Sequence, residues 1–442
     1  MRSILLLDPI GKTFAIKEKI LYFGVAAFFI SLLLPDMPVI NNIVTGAIIL
    51  NCFLYNPFAE KKQLLWKRKE IFFMILFYGL HIVSALISAD RQEGMEMLVL
   101  RVPLLVFPLS IGLIVIREEL KDRILLFFSI IITLTALVCL VYAFQQYQKF
   151  NDSGFLYDDS LTAAIRKQSI YFALLVNLTL FSYVYLLFKK PSVIKYKGLA
   201  YLAIVFLLIF HFMLASRIAI IILYSSLLLY AAVYIIKKRK YLEGATLVMG
   251  LFIGAILLVK FFPKTLNRFK ELNYTDYKFN SHAVESHYNM QLTAEQWNGA
   301  NIRLAVWTCG WQLAREHWLT GVPLGDKRAK LMEVYKARQF DLGYQTRRNM
   351  HSTYLDVLCN FGVIGFGIFL LGYLFFPLIA CYRAKDGLGA FIILALGASM
   401  ITETYLDRSI GCLLLGFFLC FVSAYKGINP GLSLEPGLPV GR

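Results

Sequence analysis

The sequence predicts an all-α polytopic membrane protein, with about twelve spanning helices and one large polar loop between the ninth and the tenth. Three observations carry this. Apolar residues are gathered into long uninterrupted runs. Among the short connections, most basic residues fall on alternate ones. One connection alone is long enough to hold structure of its own.

Of the 442 residues, 58% are hydrophobic and 15% aromatic, against about 45–50% apolar in a soluble domain. The excess lies in twelve runs, at about 20–34, 38–55, 71–88, 97–116, 124–147, 170–188, 198–214, 217–236, 241–262, 351–382, 389–405 and 409–426. A helix of roughly 20 residues rises far enough to cross a hydrocarbon core of about 30 Å. Membrane β-strands alternate apolar and polar residues. Ile218 to Leu229 does not alternate, so the runs are read as helices.

The net charge of +17 raises nucleic acid as a partner, but the distribution of the charge excludes it. With the N-terminus cytoplasmic, 22 Lys and Arg fall on the inner connections. The short outer connections hold six: Arg91, Lys149, Arg166, Lys167, Arg217 and Arg408. The positive-inside rule then places both termini in the cytoplasm and residues 263–350 outside. The expected organisation is a first bundle over 1–262, the outward loop over 263–350, three further helices over 351–426 and a cytoplasmic Pro/Gly-rich tail over 427–442. No cleavable signal is expected, because the first apolar run starts near residue 20 and no small-residue cleavage site follows it. The seven cysteines are scattered, form no CxxC pair and read as small core residues.

The loop carries 13 basic and 8 acidic residues and is too long to be structureless throughout. From Asn301 to Leu319, Arg303, Trp307, Trp311, Ala314 and Trp318 share one face of a helical wheel. Two readings stay open: a helix lying at the membrane surface, or tryptophans packed on the bundle. No internal repeat and no pair of short broken spans, the usual pointer to a transporter site, is visible.

Chemistry is sought among charges that a membrane disfavours. Arg217 opens the eighth run behind Ser216, a candidate N-cap. A cation on a first turn opposes the helix dipole. Either an external anion sits there or the side chain snorkels to the interface. Arg101, about one turn into the fourth run, is read as a substrate contact or as the partner of Glu96. Glu403, Asp407 and Arg408 gather at the outer turn between the last two runs. His351 opens the tenth run. The positive end of a helix favours neutral imidazole there, a suitable general base. Arg101, Arg217, Arg303 and His351 thus come from four segments to one side. Guanidinium groups bind phosphate bidentately and stay charged, which suits a pyrophosphate leaving group. HExxH, P-loop, GxGxxG and DxD patterns are absent. His282 and His287 lie close without completing a zinc set, and no metal ligand is assigned.

These residues, in this order, give the chain a resemblance. Ser216-Arg217, then Arg303 with Trp307, then Gly321 and Gly325, then His351 with Tyr354-Leu355 and Gly362 and Gly365 resemble the motifs of the O-antigen ligase and polymerase superfamily of bacterial envelope glycosyltransferases. Ser352 stands where that family usually has Asn. The resemblance implies a GT-C-like fold in the bacterial inner membrane with its site facing the periplasm. It implies a glycan donor on undecaprenyl pyrophosphate and no metal, nucleotide or other cofactor. His351 would be the catalytic base, and Arg217 and Arg303 would engage the pyrophosphate. Arg101, Tyr354, Gly321, Gly325 and Glu403 are assigned to substrate, Glu403 either orienting His351 or binding acceptor sugar. The acceptor is lipid A–core in a ligase, a second lipid-linked repeat in a polymerase, or a protein hydroxyl. A transporter or flippase is the remaining class, and it would need polar residues along the inner half of the bundle.

Overall fold

The computed structural model describes residues 14–286, 293 and 296–424. The expected tail and His287 lie outside them. Among the described residues the chain is all-helical, 79% helix with no strands.

The principal helices are α1 (Ile16–Leu33), α2 (Pro38–Tyr55), α3 (Lys69–Leu86), α4 (Arg91–Leu100), α5 (Pro103–Leu109), α6 (Glu118–Phe150), α7 (Ser169–Lys189), α8 (Lys197–Met213), α9 (Arg217–Lys238) and α10 (Tyr241–Phe261). They continue with α11 (Pro263–Lys270), α12 (Asn301–Glu316), α13 (Lys327–Ala337), α14 (Thr353–Leu370), α15 (Phe376–Ala384), α16 (Gly387–Thr402) and α17 (Ser409–Ser423). Among the described residues, six stretches are long and apolar enough to cross a membrane: α2, α3, α6, α7, α10 and the joined α14–α15. The bent pair α4–α5 makes a seventh if it counts as one span. Helices α8, α16, α17 and the apolar part of α9 are shorter. Wide apolar surfaces stay uncovered, on α2 (Ile43, Phe53), α6 (Val138, Val141) and α10 (Phe252, Ile253). Exposure on that scale is stable in lipid and not in water.

The bundle core is aromatic. Phe28 of α1 stacks on Phe417 of α17 at 4.9 Å between ring centroids, and Phe29 meets Phe128 of α6 at 4.9 Å. Rings interlocked at this spacing add to the area they bury. All seven cysteines are free and buried.

Two breaks shape the site. The fourth apolar run does not continue as one helix: α4 and α5 meet at a 42° bend. Pro103 opens α5 and cannot donate to a continuing ladder. Arg101 therefore caps the end of α4, in the bend, and is not one turn inside a helix. The second break is in α14, at Gly362 with φ +59°. A Cβ at Gly362 would overlap the Leu319 carbonyl, so glycine there admits the returning loop backbone. Val363 N donates to Trp318 O at that point, and Val322 N to Cys359 O. The loop segment thus seats on α14 and shares a second core with it, through Cys309, Leu313, Tyr335, Phe340, Met350 and Cys359. Trp311 of α12 and Trp318 just beyond its end are exposed, while Ala305, Val306 and Leu313 face that core.

Candidate functional site

A cavity of about 440 Å³ opens where α9, α12, the entry to α14 and the turn after α16 meet. Arg217, Arg303, His351 and Glu403 all line it. So do Arg268, Arg408, Asp158, Asp159, Trp307 and Thr402.

Arg217 is held by a local backbone decision. Ala215 takes φ +51°, a conformation costly to a residue with a Cβ, and this ends α8 and turns the chain into α9. Ser216 is the N-cap by position, but its side chain makes no capping hydrogen bond. Its Oγ is enclosed and without a partner. The N–H groups of a first helical turn also have no partner along their own helix. Arg217 Nη1 donates to Arg268 O at 3.0 Å and pairs with Glu271 at 3.2 Å. Arg268 in turn pairs with Asp158 at 3.1 Å.

Arg303 projects from the first turn of α12. Its Nη1 donates to Gly299 O at 2.6 Å and its Nε to Thr402 O at 3.2 Å. Gly299 stands between the two arginines. A Cβ built there would lie 3.0 Å from Arg217 Nη2 and 3.2 Å from Arg303 Nη1. Burial pulls the Arg303 pKa below its usual value, with Glu403 and Glu271 opposing that and Arg268 and Arg348 adding to it. A guanidinium keeps its charge through such shifts, so Arg303 stays a cation at the cavity wall, met by Glu403, Glu271 and two backbone carbonyls. One helical turn on, the indole Nε1 of Trp307 is enclosed without an acceptor.

His351 does not open the helix. Its φ is +45°, Ser352 is the N-cap, with its side chain accepting from Leu355 N, and α14 begins at Thr353. A non-glycine residue held at positive φ costs of order 1–3 kcal/mol, and the surroundings fix it. Asn349 Oδ1 accepts from His351 N at 3.2 Å. Thr353 N and Oγ1 both donate to Glu403 O, at 3.1 and 2.7 Å, and Thr353 Oγ1 accepts from Tyr405 N at 3.0 Å. These bonds tie the Glu403 turn to the start of α14. They leave His351 Nδ1 3.8 Å from Glu403 Oε2, within ion-pair range and beyond a hydrogen bond. Burial pushes the Glu403 carboxyl up, but His351, Arg303 and Arg408 together hold it below its usual range. A base backed by a carboxylate and faced by several guanidinium groups can accept a proton while negative charge leaves nearby.

The other expected site residues stand elsewhere. Arg101 does not line the cavity. It is fully buried and bonded to Leu406 O, Asp407 and Asp356, while Glu96 accepts from Gln92. The bend at Pro103 is what turns it inward. Tyr354 donates its hydroxyl to Gly397 O at 2.8 Å, joining α14 to α16. Gly321 has φ +76°, and a Cβ there would overlap the Asn360–Phe361 backbone; one at Gly325 would overlap Asp90 O. Both glycines serve close backbone approach. Arg268 and Asp158 were not singled out for the site in the sequence. Their place in it depends on α11 folding back on the 153–169 connector, which no local pattern announces.

Residues 202–370 match the family model described as O-antigen ligase. No curated protein matches the chain by sequence. The matched segment holds Arg217, Arg268, Arg303 and His351; Glu403 and Arg408 follow it. Members of the family are glycosyltransferase-like enzymes. Through residues 202–370, the chain is similar to the O-antigen ligase family.

Proposed function

We propose that the protein is an O-antigen ligase, a metal-independent inverting glycosyltransferase of the bacterial inner membrane. It would move a glycan from undecaprenyl pyrophosphate to a sugar hydroxyl of lipid A–core, at a site facing the periplasm. One observation carries the reading: a histidine backed by a carboxylate shares a single cavity with four arginines.

In this reaction the acceptor oxygen attacks the anomeric carbon from the face opposite the leaving group. The new C–O bond forms as the bond to pyrophosphate breaks, and the electron pair departs on the pyrophosphate oxygen. The acceptor proton passes to His351, and the imidazolium gains Glu403 as a counter-charge. Arg217 and Arg303, with the first turn of α9 and Ser216 Oγ, are suited to the developing negative charge. Ile170, Ile218, Ile221 and Leu272 form an apolar stretch of the same lining, suited to the lipid end of the donor. The donor is already activated, so the chemistry needs no nucleotide. Arg101, Tyr354, Gly321 and Gly325 are left out of the substrate contacts because their partners are internal.

A polymerase shares this chemistry and differs in acceptor. The glycan ladder of cells lacking the gene separates them. Loss of all core-attached repeats supports the ligase. A single repeat left on the core moves the assignment to polymerase. An unchanged ladder removes both.

A further inference from the structure

Four charges are buried together beneath the cavity, outside its lining. Lys327 Nζ lies 2.5 Å from Asp356 Oδ1 and 3.1 Å from Asp407 Oδ1. Arg101 Nη2 lies 3.0 Å from Asp407 Oδ1 and 3.4 Å from Asp356 Oδ2. Both cations thus bridge the same two carboxylates, and Arg101 and Asp356 are fully buried. The carboxylates sit at related places in the chain. Asp356 is in the first turns of α14, just beyond His351. Asp407 is in the turn that begins with Glu403. The charges thus join the two segments that carry His351 and Glu403.

Lys327 belongs to neither segment. It opens α13 of the 263–350 loop, at the end of a stretch fastened to α3 and the start of α4. Leu324 N donates to Ser84 Oγ and Gly325 N to Ser88 Oγ, both at 2.9 Å. Asp326 accepts from Ala89 N at 3.0 Å and from Asp90 N at 2.9 Å. The glycine at 325 is what lets the loop backbone come this close.

We propose that Lys327, working with Arg101, is a positioning residue: it fastens the loop to the two segments that carry His351 and Glu403 and sets the distance between them. Neither cation touches the cavity, so neither grips substrate. Loop docking and assembly of the base are one event. Arg217 is held by other contacts, to Arg268 O and Glu271, and keeps its geometry when Lys327 is lost.

The test uses the full chain in nanodiscs. Its kinetic arm rests on the ligase reading; its exchange arm does not. Lys327→Met removes the ammonium, and Lys327→Met with Asp356→Asn leaves Arg101–Asp407 as a balanced pair. The expected result is a fall in kcat of at least tenfold in both variants, with donor KM within about twofold. Amide exchange should rise across 349–356 and 402–408 and stay unchanged around 217. The double variant should regain thermal stability without regaining kcat. If the folded double variant turns over like wild type, or if its exchange matches wild type across 402–408, the positioning role is overturned. So it is if donor KM and exchange around Arg217 change as much as kcat. A wild-type protein that transfers no glycan counts against the ligase reading alone, and the exchange comparison still decides the role of Lys327.

Discussion

Replacing Gly299 by alanine perturbs the proposed anion cradle without altering any charge. The added Cβ would stand 3.0 Å from Arg217 Nη2, 3.1 Å from Glu271 Oε2 and 3.2 Å from Arg303 Nη1. Relief of such contacts requires shifts of a few tenths of an ångström. The groups concerned are not free to make them. Arg303 Nη1 donates to Gly299 O itself, and Arg217 is fixed by Arg268 O and Glu271. Overpacking of this kind costs about 1–3 kcal/mol, and hydrogen bonds to charged groups are worth about 1.5–3 kcal/mol. Misaligning the cradle is therefore expected to weaken pyrophosphate binding by about 2 kcal/mol, or roughly 30-fold. His351 and Glu403 are not among the atoms nearest the new methyl group, so the base is spared; donor KM should rise, and kcat should fall with it, because the same guanidinium groups meet the charge that develops on the leaving group. Titration calorimetry with inorganic pyrophosphate, beside donor KM, reads this directly. A folded Gly299→Ala protein that binds pyrophosphate as tightly as wild type would refute the argument that Arg217 and Arg303 act together on one anion.

Glu403→Gln removes the carboxylate 3.8 Å from His351 Nδ1. Coulomb attraction at that distance is about 4 kcal/mol at an effective dielectric constant of about 20, and Arg303 and Arg408 already claim part of it, so initial rates should fall about 100-fold. The depressed Glu403 pKa also predicts a stability profile. Its contribution is fully present above the ordinary carboxylate range and is lost as pH falls through the lowered folded value. The difference in Tm between wild type and Glu403→Gln should therefore stay flat at neutral pH and shrink as pH falls below the ordinary carboxylate range. Tyr354→Phe should cost about 1 kcal/mol of stability by leaving Gly397 O without its donor, with kcat unchanged, as thermal unfolding and rates together would show. Gly325→Ala places a Cβ against Asp90 O and should cost more than about 3 kcal/mol, seen as a sharp drop in folded yield.

Much of this was legible in the sequence because it is written locally. Uninterrupted apolar runs give helices whatever they pack against, and an arginine at the start of such a run is conspicuous because the membrane penalises it. Arg101, Arg217, Arg303 and His351 could be gathered to one side, and all but Arg101 meet in one cavity, joined there by Glu403. What is settled between distant segments was not legible. Arg101 was conspicuous for the same reason as Arg217, yet its partners, Asp356 and Asp407, lie more than 250 positions away in the chain. Nothing near Arg101 distinguishes a buried network from a substrate contact except Pro103, which bends the chain behind it. Only the family resemblance assigns Gly321 and Gly325 to substrate, and the sequence does not say that what approaches them is backbone of α14 and α4. Arg268 was one of 13 basic residues in the loop, with nothing local to set it apart.

The most direct test is transfer by the purified protein. Undecaprenyl-pyrophosphate-linked glycan and lipid A–core are supplied with and without EDTA, beside His351→Ala. The account predicts core-linked product that survives EDTA and falls by about 10²–10⁴ in the variant, the usual worth of a positioned general base. Core-linked product formed equally well by His351→Ala, at equal protein and without a background enzyme, would contradict it.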